Sequence, residues 1–192
     1  MSGQDTANPS RLYRNKRECL LTMPASATNA QRIHRALRAC SVRLVATLPE
    51  TWLVEVVRLC EQDPAMLLVC VAKEEEAVGI AAGAHLAGER AALLMQNHGL
   101  LQSVNGIVSL AQLYRIPLVM LVSYRGSFGE RDPWHAAGGR ATEPVLRALS
   151  IPYELVEGPE EIEPRIAATF ALAESSQAPV ALLLTRGLMW ED

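Results

Sequence analysis

From Thr28 onward the chain alternates short apolar runs with longer segments whose apolar residues recur every three or four positions. That change of period predicts strands and amphipathic helices in turn. Helices are predicted over residues 29–40, 51–60, 74–87, 101–114, 143–149 and 160–175. Strands are predicted over 42–48, 66–72, 91–95, 117–122, 153–156 and 180–184, the first ended by Pro49. Strands alternating with helices imply right-handed βαβ crossovers and a mainly parallel sheet. The expected fold is therefore α/β, a single doubly wound domain with about six strands. Residues 1–25 carry Gly3, Pro9 and Pro24 with no period and read as a polar N-terminal arm, leaving 26–192 as the domain. Residues 123–141 read as a polar loop, longer than compact domains usually allow and so a functional candidate.

Composition narrows the class. The 192 residues are 49% hydrophobic but only 5% aromatic, which suits close-packed helix-on-sheet layers better than a β-sandwich. A formal charge of −3 gives no ground for a nucleic-acid partner, and the basic patch Arg14–Arg17 is isolated. No apolar run reaches membrane-spanning length, and polar residues interrupt the N-terminus where a signal peptide would need an apolar stretch. Cys19, Cys40, Cys60 and Cys70 form no CxxC pair, so buried or semi-buried thiols in a reducing cytosol are expected rather than zinc or disulfides.

The most informative stretch is 68–83, where an apolar run stops at Glu74, Glu75 and Glu76 and a helix of small residues begins. An acidic first turn complements the helix dipole. Carboxylates at the C-terminal end of a parallel strand also stand where open α/β sheets bind ligands. Successive helical residues lie about 100° apart, so only one of the three can face inward. A second turn, Gln96-Asn97-His98-Gly99, follows the third strand at the same edge. His98 reads either as a proton shuttle or as a hydrogen-bonded loop residue, since imidazole titrates near neutrality. The 123–141 segment carries Arg125, Arg131, His135 and Arg140 among glycines, a set suited to oxyanions or to a solvated charged loop. For Arg131, between Glu130 and Asp132, the solvated reading is preferred.

These segments together resemble the pyrimidine-binding domain of thiamine-diphosphate enzymes. In that family a glutamate is followed nine positions later by glycine, with small residues between, and Glu74 to Gly83 fits the phase. Gln96–Gly99 and Tyr124-Arg-Gly126, with Gly139-Arg-Ala-Thr142 further on, are similar to the α subunit of sulfopyruvate decarboxylase and the matching half of phosphonopyruvate decarboxylase. His98 stands where those decarboxylases usually have serine, and Leu101-Gln102 where they have Gly-Asn.

The resemblance implies roles. Glu74 would activate thiamine diphosphate through its aminopyrimidine ring, with Pro49, Gly99 and Gln102 also at the cofactor. His98 would be a second catalytic candidate. Asn97, His98, Arg125, His135 and Arg140 would bind a sulfonated or phosphonated 2-oxo acid. No metal ligand is expected in this chain, because it lacks the Gly-Asp-Gly that, with a later asparagine, holds magnesium and the diphosphate in this superfamily. A partner β subunit is expected to supply that motif, in a cytoplasmic hetero-oligomer with at least two α chains. The function implied is decarboxylation of sulfopyruvate or phosphonopyruvate to the aldehyde and carbon dioxide. A different 2-oxo acid, or a non-catalytic subunit that keeps the fold, is the alternative.

Overall fold

The computed structural model describes residues 25–191. The arm expected over 1–25 lies outside them except for Ala25, which bridges to Trp190. The chain runs α1 (Ala27–Ala39), β1 (Val42–Thr47), α2 (Val54–Gln62), β2 (Leu67–Cys70), α3 (Glu74–Leu86), β3 (Arg90–Gln96) and α4 (Asn97–Gln102). After a short α5 (Val104–Gly106), π-helical turns at Ile107–Gln112 lead to β4 (Leu118–Ser123). Then come α6 (Pro133–Ala148), β5 (Tyr153–Val156), α7 (Ile162–Ser176), β6 (Pro179–Leu184) and α8 (Arg186–Met189).

Six strands form one sheet in the order β2-β1-β3-β4-β6-β5, and every pairing is parallel. The expected doubly wound architecture is thus present. Side chains on a strand alternate between faces, and the core divides accordingly. Ala92 and Leu94 of β3 pack with α1, α2 and α7 through Ile33, Val56, Ile166 and Phe170. Leu93 and Met95 pack on the other side with α3, α4 and α6 through Val78, Leu100 and Leu146. A fully buried Leu or Ile contributes about 1.5–3 kcal/mol, so both layers are held by their own apolar contacts.

Local chemistry sets the helix starts that matter for the site. Ser26 caps α1, its hydroxyl accepting the Asn29 N–H at 3.4 Å. At α3 the Glu76 carboxylate reaches back to accept the N–H groups of Ala72 and Lys73, so this glutamate closes the turn out of β2.

Three boundaries differ from the sequence reading. The helix after β3 begins at Asn97 rather than residue 101, with Gln96 in extended conformation at its cap position. The run expected as one helix over 101–114 is broken into α4, α5 and the π-helical turns. The polar loop expected over 123–141 is cut short, because Pro133 opens α6 and the helix continues through Pro144. Pro133 sits at a first-turn position where its fixed φ suits a helix and its missing N–H is not needed. Gly138 and Gly139, which read as loop residues, are buried inside that helix for close packing. A β-carbon on Gly139 would overlap the Gly126 carbonyl, and one on Gly126, whose φ is +80°, would overlap the His135 carbonyl.

Candidate active site

Parallel register brings the ends of β1, β3, β4 and β6 to one edge, with Thr47 beside Leu94, Gln96 beside Ser123, and Ser123 beside Leu184. Above it opens a cleft of about 520 Å³, lined by residues that include Glu50, Thr51, Trp52, Gln96, Arg125 and His135. Glu130, Arg131, Asp132, Trp134, Arg186 and Trp190 complete the lining. Arg125, Arg131 and Arg186 share this lining with Glu50, Glu130 and Asp132.

Of the three consecutive glutamates only Glu74 is buried, at 8% exposure. Glu75 turns to α5, where Asn105 donates to it at 3.4 Å and its Cγ fills the space beside Gly106. Glu74 packs on Gly99, the second turn of the same strand edge, and a β-carbon at 99 would overlap its carboxyl group. The two sequence motifs therefore meet as a carboxyl group resting on a glycine. This arrangement fits the pyrimidine end of thiamine diphosphate, since a buried carboxyl oxygen at a strand end suits a ring nitrogen. Among the described residues no group of three or more His, Cys, Asp or Glu could hold a metal ion.

Asn97 is fully buried, and its amide is committed within the fold. It donates to the Arg125 carbonyl and the Thr142 hydroxyl, both at 2.9 Å, and accepts the Arg125 N–H at 3.2 Å. Asn97 thus ties α4, the end of β4 and α6 together, a different task from the ligand contact expected of it.

Arg125 is 7% exposed and heavily partnered. Its guanidinium donates to Glu130 at 2.9 Å and to Asp132 at 3.1 Å, and lies 4.5 Å from the centre of the Trp52 ring. Burial opposes ionisation of Glu130, but the Arg125 hydrogen bond and the N–H groups of Asp132 and Gly126 outweigh it and hold the carboxyl at about 2. The sequence presented Arg125 as an open cation; the structure shows one already countered by two carboxylates.

His98 and His135 face each other with ring centres 5.1 Å apart. The Nδ1 of each is shielded from solvent and has no hydrogen-bond partner. Burial, then the positive charge of Arg125, pushes the His135 imidazole below its ordinary range. It is therefore neutral at pH 7 and serves as a hydrogen-bond donor or acceptor rather than as the cation the sequence suggested. His98 keeps its place because Gly138 leaves room for its Nε2. Pro49, Gln102 and Arg140 are exposed, and none of them lines the cleft.

The sequence reading passed over Glu50, Thr51, Gln96 and Glu130 as site residues. Glu50 had a usable signal: it follows Pro49 at the end of β1, a carboxylate at a parallel strand's C-terminal end like Glu74. Trp52 and Trp190 stand with ring centres 6.4 Å apart and wall the cleft.

Residues 27–137 match the family described as "Thiamine pyrophosphate enzyme, N-terminal TPP binding domain", and the chain belongs to that family. Its relatives include the sulfopyruvate decarboxylase subunit alpha of Methanothermobacter thermautotrophicus, 37% identical over 81% of this chain and 94% of that protein. The subunit alpha of Methanocaldococcus jannaschii is 35% identical over 83% of this chain and 94% of that one. Phosphonopyruvate decarboxylase of Streptomyces viridochromogenes is 32% identical over 81% of this chain, which spans 40% of that longer protein. The fold is also that of a 2-oxoglutarate:ferredoxin oxidoreductase from Magnetococcus marinus, with a TM-score of 0.68 at 20% identity over 88% of this chain and 30% of that one. No helix among the described residues is long and apolar enough to cross a membrane.

Proposed function

We propose that this chain is the pyrimidine-binding α subunit of a thiamine-diphosphate-dependent decarboxylase acting on a sulfonated or phosphonated 2-oxo acid. The observation that carries the reading is the buried Glu74 carboxyl lodged over Gly99 at the strand edge. Two relatives of nearly the same length are named as alpha subunits of sulfopyruvate decarboxylase, which supports both the substrate class and a second, β-type subunit. Thiamine diphosphate, when bound, supplies a carbon nucleophile and an electron sink for the carbon dioxide step. The diphosphate and magnesium ligands belong to the partner subunit in this reading.

The chain's own residues then have distinct tasks. Glu74 would hydrogen-bond the aminopyrimidine nitrogen of the bound cofactor. Gly99 gives the carboxyl its room. Arg125, Arg131 and Arg186 line the cleft that the anionic substrate would enter. His135, a neutral imidazole facing the His98 ring, is able to pass a proton at the substrate oxygen. Trp52 and Trp190 exclude water from one wall.

A second reading, decarboxylation of an uncharged 2-oxo acid, is favoured by one observation, the commitment of Arg125 to Glu130 and Asp132. The complex of this chain with its partner subunit, assayed with sulfopyruvate, phosphonopyruvate and pyruvate, separates the two. Turnover abolished by Glu74→Gln with assembly intact is the expected result, and Glu75→Gln and Glu76→Gln should be mild. Full activity in Glu74→Gln would overturn the proposal.

A further inference from the structure

β1 and its neighbour β3 send the chain to opposite faces of the sheet. After β1 it runs into α2, whose Val56 and Cys60 pack in the first layer. After β3 it runs into α4, whose Leu100 packs in the second. Open α/β sheets bind ligands in the crevice that such a divergence opens beyond the C-terminal ends of the strands. One bank of this crevice is Glu50, Thr51 and Trp52, and at the root of the other stands Gln96, which lines the same cleft.

Gln96 is in extended conformation, with φ −80° and ψ 153°, so the alternation of β3 carries on through it. Leu94 packs with Trp52 in the first layer and Met95 in the second. Gln96 therefore leaves the sheet on the Trp52 side, away from Glu74 and Gly99, neither of which lines the cleft. Its carboxamide caps no N–H of α4 and has no hydrogen-bond partner among the described residues. Other polar side chains of the lining are engaged: Glu50 accepts the Leu53 N–H, Thr51 accepts from Arg125, and Arg125 is held by Glu130 and Asp132. Asn97, the next residue, is committed to the scaffold.

We propose that Gln96 is a substrate-binding, specificity-determining residue whose Nε2–H donates to an anionic oxygen of the 2-oxo acid. The choice of ligand rests on the decarboxylase reading. The oxygens of such an acid, in its ionised carboxylate, its 2-oxo group or a sulfonate, accept and do not donate, so a carboxamide meets them through its nitrogen. A carboxamide also keeps its donor at every pH, unlike the imidazole of His135 in the same cleft. The Gln-Asn pair then divides two tasks between neighbours: Asn97 fixes the turn, and Gln96 meets the substrate.

The test uses the chain assembled with its partner subunit and cofactor, titrated calorimetrically with the 2-hydroxy analogue of sulfopyruvate and with lactate. Gln96→Ala removes the donor and should weaken binding about tenfold, as loss of a hydrogen bond to a charged group does. Gln96→Glu has the same shape but presents a carboxylate, and at neutral pH it should weaken binding by about a hundredfold or more. Its affinity should recover as pH falls and the new carboxyl gains a proton, a trend that Gln96→Ala lacks. His135 and the cleft's own acids, Glu50, Glu130 and Asp132, are present in both variants, so the difference between the two isolates position 96. Melting temperature and cofactor affinity should match wild type in both. Losses with both probes assign the contact to the carboxylate, and a loss with the sulfonated probe alone assigns it to the sulfonate. Wild-type affinity in Gln96→Glu would overturn the proposal, as would equal losses in the two variants accompanied by lower melting or weaker cofactor binding. If the assembled wild type turns over no sulfonated or phosphonated acid, the substrate reading fails, while lactate binding by the two variants still decides the role of Gln96.

Discussion

The Glu74 carboxyl occupies the space that a side chain at position 99 would fill. One residue comes from the start of α3 and the other from α4, so the burial of the carboxyl depends on the absence of a single methyl group. Alanine is otherwise favoured over glycine in a helix by about 1 kcal/mol. Gly99→Ala is therefore expected to leave thermal stability within a few degrees of wild type while lowering kcat by roughly a hundredfold or more in the assembled enzyme, as loss of a positioned acid–base group does. Parallel melting and steady-state measurements would check this. A fully active Gly99→Ala would mean that Glu74 has another productive position.

The Arg125–Glu130 pair is nearly enclosed, with both side chains about 9% exposed. Removing one partner of a buried pair costs about 3–5 kcal/mol, because the other charge is left uncompensated. Glu130→Gln should destabilise the chain by that amount in denaturant unfolding, and Arg125→Ala similarly.

The same pair sets an acid limit. Glu130 has its carboxyl at about 2 in the fold, against 4.5 ordinarily. A depressed carboxylate contributes stability that is complete above pH 4.5 and disappears as pH falls toward 2. Other carboxylates are lowered too, Asp63 and Glu163 among them. The difference between wild type and Glu130→Gln therefore isolates this one, and it should shrink between pH 4.5 and 2. A difference constant over that window would show that the pair carries no titrating charge.

Asn97 and His98 are neighbours with opposite expectations. Each of the groups left unsatisfied by Asn97→Ala costs about 1–3 kcal/mol, so that variant should melt markedly lower with no ligand present. His98→Ala should leave the melting temperature nearly unchanged and lower kcat in the assembled enzyme. Equal destabilisation by both would place His98 in the scaffold as well.

The sheet was legible because its strands are continuous apolar runs, such as Leu93–Met95 and Leu118–Val122, that only a twice-covered parallel sheet buries. Helical geometry admits one inward residue among the three glutamates, and the family resemblance, through the nine-residue spacing to Gly83, singled out Glu74. What could not be read was contact across distant segments. Gly138 and Gly139 signal a loop by composition, yet they are spaces for His98 and the Gly126 backbone, which lie elsewhere in the sequence. Arg125 looked like an available cation because its satisfaction by Glu130 and Asp132 depends on the turn that Gly126 permits, with φ at +80°.

The division of the core into two layers has a mechanical consequence. Glu74, Gly99, His98 and His135 hang from α3, α4 and α6 on one side of the sheet, while Trp52 leads into α2 and packs with the opposite layer. The cleft is thus a seam between two independently packed halves, joined at its rim by Arg125 over Trp52. Core substitutions in α1 or α7 can loosen one bank of the seam without disturbing the Glu74 carboxyl, which α3 carries in the other layer. Their signature would be a wider, more permissive opening, with the proton-handling group still in register.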